Sequence, residues 1–310
     1  MKKIEILLFV YNGERFLEKQ INSILTQTYK NFTLHLIDDC SNDNSFEIIN
    51  KYKNLTNVKI YRNDKNIGIV KNVEKYLNLI NGEFFALSDQ DDIWLPNKLE
   101  KQIKYINNKK PMLVHSDLVM INEYEKILYS SYFKFRNYNL PNKKSLNTII
   151  SQNGVMGNTI LFNQKLKELI LPFPKDLIVH DYWIALINEI YGERITLNEK
   201  LVMYRIHNNN LSNNISSLSK RNKIKLNNIQ LPYYNINREK VLEFLLNNYY
   251  IKEQDKIIIK KFIEYLEFKK NKLYIIFNLL KYNFLKKSLF YRIKIIIKIL
   301  LKKKTNEYKK

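Results

Sequence analysis

Residues 84–92 read Phe84-Phe85-Ala86-Leu87-Ser88-Asp89-Gln90-Asp91-Asp92, a short apolar run followed at once by three carboxylates within four positions. The run reads as a buried strand and the acids as the loop that leaves it. Toward the N-terminus, Ile4 to Val10, Phe32 to Ile37 and Val58 to Tyr61 have the same strand character. Helical spacing separates them over Arg15 to Leu25, Ser45 to Tyr52 and Ile69 to Ile80. Strands alternating with helices predict an α/β fold, a parallel sheet covered by helices. In such sheets ligands bind beyond the carboxyl ends of the strands. Asp38 and Asp39 follow the second strand, and Asp89, Asp91 and Asp92 the fourth.

Toward the C-terminus the pattern changes. Met112 to Val119 and Asn158 to Phe162 read as strands around a polar loop running through Asn142, and His180 to Tyr191 as a helix, so this part is mixed α and β. Beyond Asn214 the pattern is helical, with apolar residues interleaved with lysine, and Asn208 to Asn214 reads as a linker. The expected division is therefore residues 1–214 and a basic helical region, 215–310.

The 310 residues are 45% apolar, enough for a folded core and too many for a disordered chain. Of the formal charge of +22, residues 1–210 contribute 28 Lys and Arg against 23 Asp and Glu, and residues 211–310 contribute 24 against 7. The basicity belongs to the C-terminal third, and such a stretch suits nucleic acid, an anionic membrane or plain water. A single cysteine, Cys40, excludes a disulfide framework and multi-thiolate metal sites and fits a reducing compartment. The apolar start lacks a signal-peptide cleavage site, and no run reaches the ~18 apolar residues of a membrane span.

Each candidate site has a chemical and a structural reading. Asp89, Asp91 and Asp92 can turn oxygen ligands toward magnesium or manganese, or Asp91 or Asp92 can cap a helix beginning near Pro96. Asp38 and Asp39 suit ribose and base recognition at a strand end, although Asp and Ser also favour turns. Asp181, in His180-Asp181-Tyr182-Trp183, is a helix cap or a general base at a pocket rim. His207, closing Tyr204-Arg205-Ile206-His207, is structural or a ligand. Four such sites, each at the end of an element, weigh against all of them being caps.

The runs Val10-Tyr11-Asn12-Gly13-Glu14, Ser23-Ile24-Leu25-Thr26-Gln27-Thr28, Asp38-Asp39-Cys40-Ser41-Asn42-Asp43, Asn66-Ile67-Gly68 and Ser88-Asp89-Gln90-Asp91-Asp92-Ile93-Trp94-Leu95-Pro96 resemble, in order and spacing, family 2 glycosyltransferases. Gly154 to Asn158, His180 to Trp183 and Tyr204 to His207 resemble the rhamnosyltransferase-like subgroup, so the likeness covers roughly residues 3–212. It implies a GT-A, Rossmann-like fold with a nucleotide-sugar half, 1–111, and an acceptor half, 112–214. It further implies that Asp39 contacts the base, that Asp38 supports the loop or ribose, and that Tyr11, Asn66, Gly68 and Asp89 line the donor site. Asp91, with His207, would hold Mn2+ or Mg2+, and Asp181 would be the general base. Phe9 departs from the pattern, since many members carry a small polar residue there.

Residues 281–304 hold nine Lys or Arg and no acid. On a helix, Lys287, Lys294, Lys298 and Lys302 fall on one side, and Leu289, Ile293, Ile296 and Leu300, with Phe290, Ile297 and Leu301, on the other. That pattern fits a helix lying in a membrane surface, or a core-packing helix with a solvated basic face. The expected function is an inverting, metal-dependent glycosyltransferase of bacterial surface polysaccharide biosynthesis. It would move a sugar from a nucleoside-diphosphate sugar to a glycan or lipid-linked glycan, in the cytoplasm, peripheral on the inner face of the membrane through 281–304. No nucleic acid partner is expected. The alternative is a nucleic-acid or membrane binding module on a non-catalytic α/β scaffold, against which the balanced charge of residues 1–210 and the strand-end carboxylates both argue.

Overall fold

A computed structural model describes residues 2–138, 140, 144–207, 237–267, 270–285 and 289–301. Strands β1 (Ile4–Val10), β2 (Phe32–Asp38), β3 (Val58–Arg62) and β4 (Phe84–Ser88) lie parallel in the order β3-β2-β1-β4. Every residue of β1 and β2 is buried, because helices cover both faces. Ile4, Ile6, Leu8 and Val10 pack with α1 (Leu17–Leu25), whereas Leu7 and Phe9 join the opposite core with α3 (Ile69–Leu79). Helix α2 (Ser45–Asn50) connects β2 to β3.

The acidic run after β4 leads into a two-residue strand, β5 (Ile93–Trp94), and only then into α4 (Lys98–Ile103), whose N-cap is Asn97. Neither Asp91 nor Asp92 caps it. The remaining strands are β6 (Met112–Ile121), β7 (Ile127–Tyr129), β8 (Leu161–Asn163) and β9 (Glu193–Arg205). They extend the sheet as β4-β8-β6-β9-β5, with β7 a hairpin on β6. Strand β8 is antiparallel to both β4 and β6, and β9 runs parallel to β6. Hence β1, β2, β4 and β9 all end at one edge of the sheet. The strand expected at Asn158 to Phe162 starts later, because Gly157–Thr159 forms a 3-10 turn. The polar loop through Asn142 contains β7 and α5 (Tyr132–Arg136). Helices α6 (Leu146–Gln152), α7 (Gln164–Ile170) and α8 (His180–Tyr191) complete this half.

Among the described residues four helices follow, α9 (Arg238–Asn248), α10 (Glu253–Glu267), α11 (Lys272–Lys281) and α12 (Leu289–Leu301). Val241, Leu245, Ile259 and Phe262 share one apolar cluster with Ile149, Ile150 and Trp183, so these helices pack on the sheet-bearing part. The Trp183 ring meets Phe244 and Tyr249 edge-on, at 6.0 and 5.7 Å between centroids. In α12 the inward residues are Ile295 and Ile299, while Ile293, Ile297, Leu300 and Leu301 are exposed. The apolar side drawn from sequence is thus not the side that packs. Asn208 to Asn214, Lys287 and Lys302 lie outside the described residues. No helix among the described residues is long and apolar enough to cross a membrane.

Candidate active site

The loop after β1 is laced to the loop after β2. The amides of Asn12, Gly13 and Glu14 donate to Ser41 Oγ, Ser45 Oγ and Asp43 Oδ2 at 3.0, 2.8 and 3.0 Å. Tyr11, 43% exposed at the mouth, is clasped by Gln90, whose side chain accepts from its N–H at 2.7 Å and donates to its carbonyl at 3.0 Å. Asp39 is buried and accepts from the amides of Ile67 (3.0 Å) and Gly68 (2.9 Å) and from Asn63 Nδ2 (2.8 Å). It thereby shapes the 66–68 loop, where Gly68 sits at φ 79, a conformation that favours glycine. Asp38 accepts from the Ser41 amide and pairs with Arg62 Nε at 3.2 Å. Asp38, Asp39, Tyr11, Asn66 and Gly68 therefore meet at one corner of the sheet, with the two carboxylates holding loops and Asn66 exposed.

The second cluster joins the ends of β4 and β9. Asp91 Oδ2 lies 2.8 Å from His207 Nε2, and the imidazole rests on Phe16 at 5.1 Å between ring centroids. Arg205 fixes this junction. Its amide donates to Asp92 Oδ1 at 3.1 Å, its Nε donates to the Asp91 carbonyl at 2.9 Å, and its guanidinium lies over Phe16 at 4.5 Å. The buried Asp92 also accepts from Asn158 Nδ2, so it ties the 3-10 turn to the acidic loop. Loss of solvent, with repulsion from Asp91 and Asp181, pushes the Asp89 carboxyl up to about 7.

Asp181 completes the site from the start of α8. The N-cap there is Val179, and the Asp181 carboxylate instead accepts from Asn153 Nδ2 (3.0 Å) and the Gly157 amide (3.3 Å). Burial pushes it up to about 6, and those hydrogen bonds hold it from going higher. Such a value suits a general base near neutral pH. A side chain at Gly157 would bring its Cβ within 3.0 Å of His180 Nε2, so glycine permits this close approach. Burial depresses His180 to about 4 and keeps it neutral.

Asn153, Gln90 and Arg238 were not anticipated from sequence. Asn153, at φ 54, ends α6, and Arg238 of α9 donates from Nη1 to the last carbonyls of that helix, Ile150 (3.2 Å) and Ser151 (3.4 Å). Its guanidinium also covers the Tyr182 ring at 4.6 Å. Asn is too common in this chain for Asn153 to stand out, and Gln90 sits inside the acidic run with no periodicity of its own. Arg238, 57 positions beyond Asp181, has no local pattern to reveal it.

Asp91 Oδ2 and His207 Nε2 hydrogen-bond to each other at 2.8 Å, a hard oxygen beside an imidazole nitrogen. Magnesium and manganese commonly take one or two protein ligands and complete their shell with phosphate and water. Among the described residues no group of three or more His, Cys, Asp or Glu is arranged to hold a metal alone. A carboxylate and an imidazole at the ends of β4 and β9 have the donor chemistry of such a partial shell.

A sheet parallel in one half and mixed in the other, with acidic loops at the shared strand ends, is the GT-A fold. The chain belongs to glycosyl transferase family 2, whose model matches residues 5–168. It is 30% identical over 213 residues to an uncharacterized glycosyltransferase of Methanocaldococcus jannaschii, covering 66% of this chain and 71% of that one. It is 27% identical over 214 residues to the Escherichia coli UDP-Glc:alpha-D-GlcNAc-diphosphoundecaprenol beta-1,3-glucosyltransferase WfgD, covering 68% and 80%. In fold it is similar to Staphylococcus aureus TarS 1-349 in complex with UDP-GlcNAc (TM-score 0.60, 17% identity, 90% and 80% covered). It is likewise similar to the mannosyltransferase PcManGT from Pyrobaculum calidifontis in complex with GDP-Man and Mn2+ (TM-score 0.59, 13% identity, 97% and 80% covered).

Proposed function

We propose that this glycosyltransferase moves a sugar, with inversion, from a nucleoside-diphosphate sugar to a hydroxyl of a lipid-linked glycan in surface polysaccharide biosynthesis. The observation that carries the reading is the meeting of Asp89, Asp91 and His207 with Asp181 at one sheet edge, from three separate segments. Tyr11, Asn66, Gly68, Asp38 and Asp39 form the donor corner, with Asp39 organising the loop that meets the base. Asp91 and His207 would hold Mn2+ or Mg2+, which when bound supplies positive charge to the diphosphate leaving group. Asp181 accepts the proton of the acceptor hydroxyl as its oxygen attacks the anomeric carbon, and the bond to the diphosphate breaks on the opposite face. One displacement inverts that carbon.

WfgD acts on a diphosphoundecaprenol-linked sugar, which supports a lipid-linked acceptor and a place on the inner face of the membrane. Crowded carboxylates at the strand ends would repel a phosphate backbone and disfavour a nucleic-acid module. The test is thermal unfolding of the full chain against a panel of nucleoside diphosphates and their sugars, with and without Mn2+. Metal-dependent stabilisation by one nucleotide class is expected. No stabilisation by any of them would refute the reading.

A further inference from the structure

Helices α11 and α12 lie side by side and antiparallel, since Lys272 Nζ at the start of one donates to the Leu300 carbonyl at the end of the other, at 2.7 Å. Each helix has an inward stripe. Ile275 and Leu279 of α11 and Ile295 and Ile299 of α12 belong to the main apolar cluster. Each also has an outward apolar stripe at helical spacing, Leu273, Phe277 and Leu280 on α11 and Ile293, Ile297 and Leu300 on α12. Leu273 is 70% exposed, Phe277 59% and Ile297 48%. Two exposed apolar stripes on paired antiparallel helices, both opposite the side that packs, are of a kind that marks an interaction site. The inward stripes already anchor the pair to the protein, so the outward ones contribute nothing to its core.

Charge selects the occupant. Residues 268–306 contain twelve Lys or Arg and no carboxylate. A second copy docking on this face would set one cationic segment against another. A nucleic acid would leave the apolar centre of the face without a partner. An anionic bilayer satisfies both features, taking the apolar stripes into its headgroup boundary and attracting the lysines around them.

We propose that the outward face of the α11–α12 hairpin is a membrane-docking surface for anionic lipid, with Leu273, Phe277, Ile293 and Ile297 as the inserting side chains. It extends the membrane location argued above by naming the surface, and it places two helices, rather than the 281–304 segment alone, against the lipid. Because docking requires neither donor nor acceptor, it can fail while the transferase reading stands, and the reverse.

The test is flotation of the full-length protein with vesicles of phosphatidylcholine, either pure or containing phosphatidylglycerol. The expected result is binding only to the phosphatidylglycerol vesicles, weakening as salt rises. The double substitution Phe277→Gln and Ile297→Gln keeps the charge and alters only exposed positions, and should weaken binding at least ten-fold. Melting temperature and nucleoside-diphosphate binding, measured on the same variant, should be unchanged. Wild-type protein that fails to float with anionic vesicles would overturn the proposal. So would a double variant that floats as well as wild type, or one that turns a wild-type dimer into a monomer without losing vesicle binding.

Discussion

Asp181→Asn separates a catalytic carboxylate from a structural one, because the two roles predict opposite changes in stability. Raising the carboxyl to about 6, from an ordinary value near 4, means that ionising it in the folded protein costs about 3 kcal/mol. That cost is absent below pH ~4, grows as pH rises toward 6, and is fully present above it. Asparagine never incurs it. The amide does lose one favourable contact, since its single oxygen replaces only one of the two carboxylate oxygens that accept from Asn153 Nδ2 and the Gly157 amide, and its NH2 only donates, a loss of about 1 kcal/mol. At pH 7.5 the variant should therefore be about 1–2 kcal/mol more stable than wild type, and at pH 4 slightly less stable. Transfer should fall by about 10²- to 10⁴-fold, with donor affinity little changed. Wild-type activity should rise through pH ~6 as Asp181 loses its proton. The assays are urea unfolding at the two pH values and transfer kinetics with the donor found by thermal screening. Turnover near wild type would remove Asp181 from the mechanism, and a variant less stable at pH 7.5 would show that the carboxylate is held for structure.

Asp91→Asn should weaken Mn2+ and nucleoside-diphosphate binding together, measured by calorimetry, because both would share that carboxylate's cation. Unchanged diphosphate affinity with the wild-type metal dependence would refute the assignment. Arg238→Met should lower transfer about ten-fold and move its rising limb to higher pH, since Arg238 ties down the end of α6 that presents Asn153 and its charge favours ionised Asp181. Lysine at 238 should restore the pH profile in part, and an unshifted profile in the Met variant would deny the positioning role. Gly68→Ala should destabilise the protein by about 1–3 kcal/mol in urea unfolding although nothing stands within 4 Å of the new Cβ, because φ 79 is strained for alanine. Full stability would mean that the loop relaxes.

The parallel half of the fold was legible because its signals are local. Strands β1, β2 and β4 are buried on both faces and read as largely apolar runs, interrupted only by Glu5, Thr33 and His35 before their polar ends, and α8 occupies the residues its spacing indicated. The acids at the strand ends were legible too, since a strand's carboxyl end is a position in sequence as well as in space. Strand β5 was not, because two residues carry no periodicity and Ile93–Trp94 is extended only through its pairing with β9. Nor could sequence rule out the capping role for Asp181 or Asp91. The N-cap positions fall to Val179 and Asn97, while Asn153 reaches one carboxylate and His207, 116 positions away, the other. Such contacts follow from sheet order: β9 lies beside β6 and ends at the same edge as β4, an arrangement recorded in no local pattern. The basic tail shows the same division. Its helices and its charge are written in its composition, but the choice of Ile295 and Ile299 as the inward stripe was made by the core they pack against, because an almost wholly apolar helix surface offers several faces of similar hydrophobicity and only the shape of its partner distinguishes them.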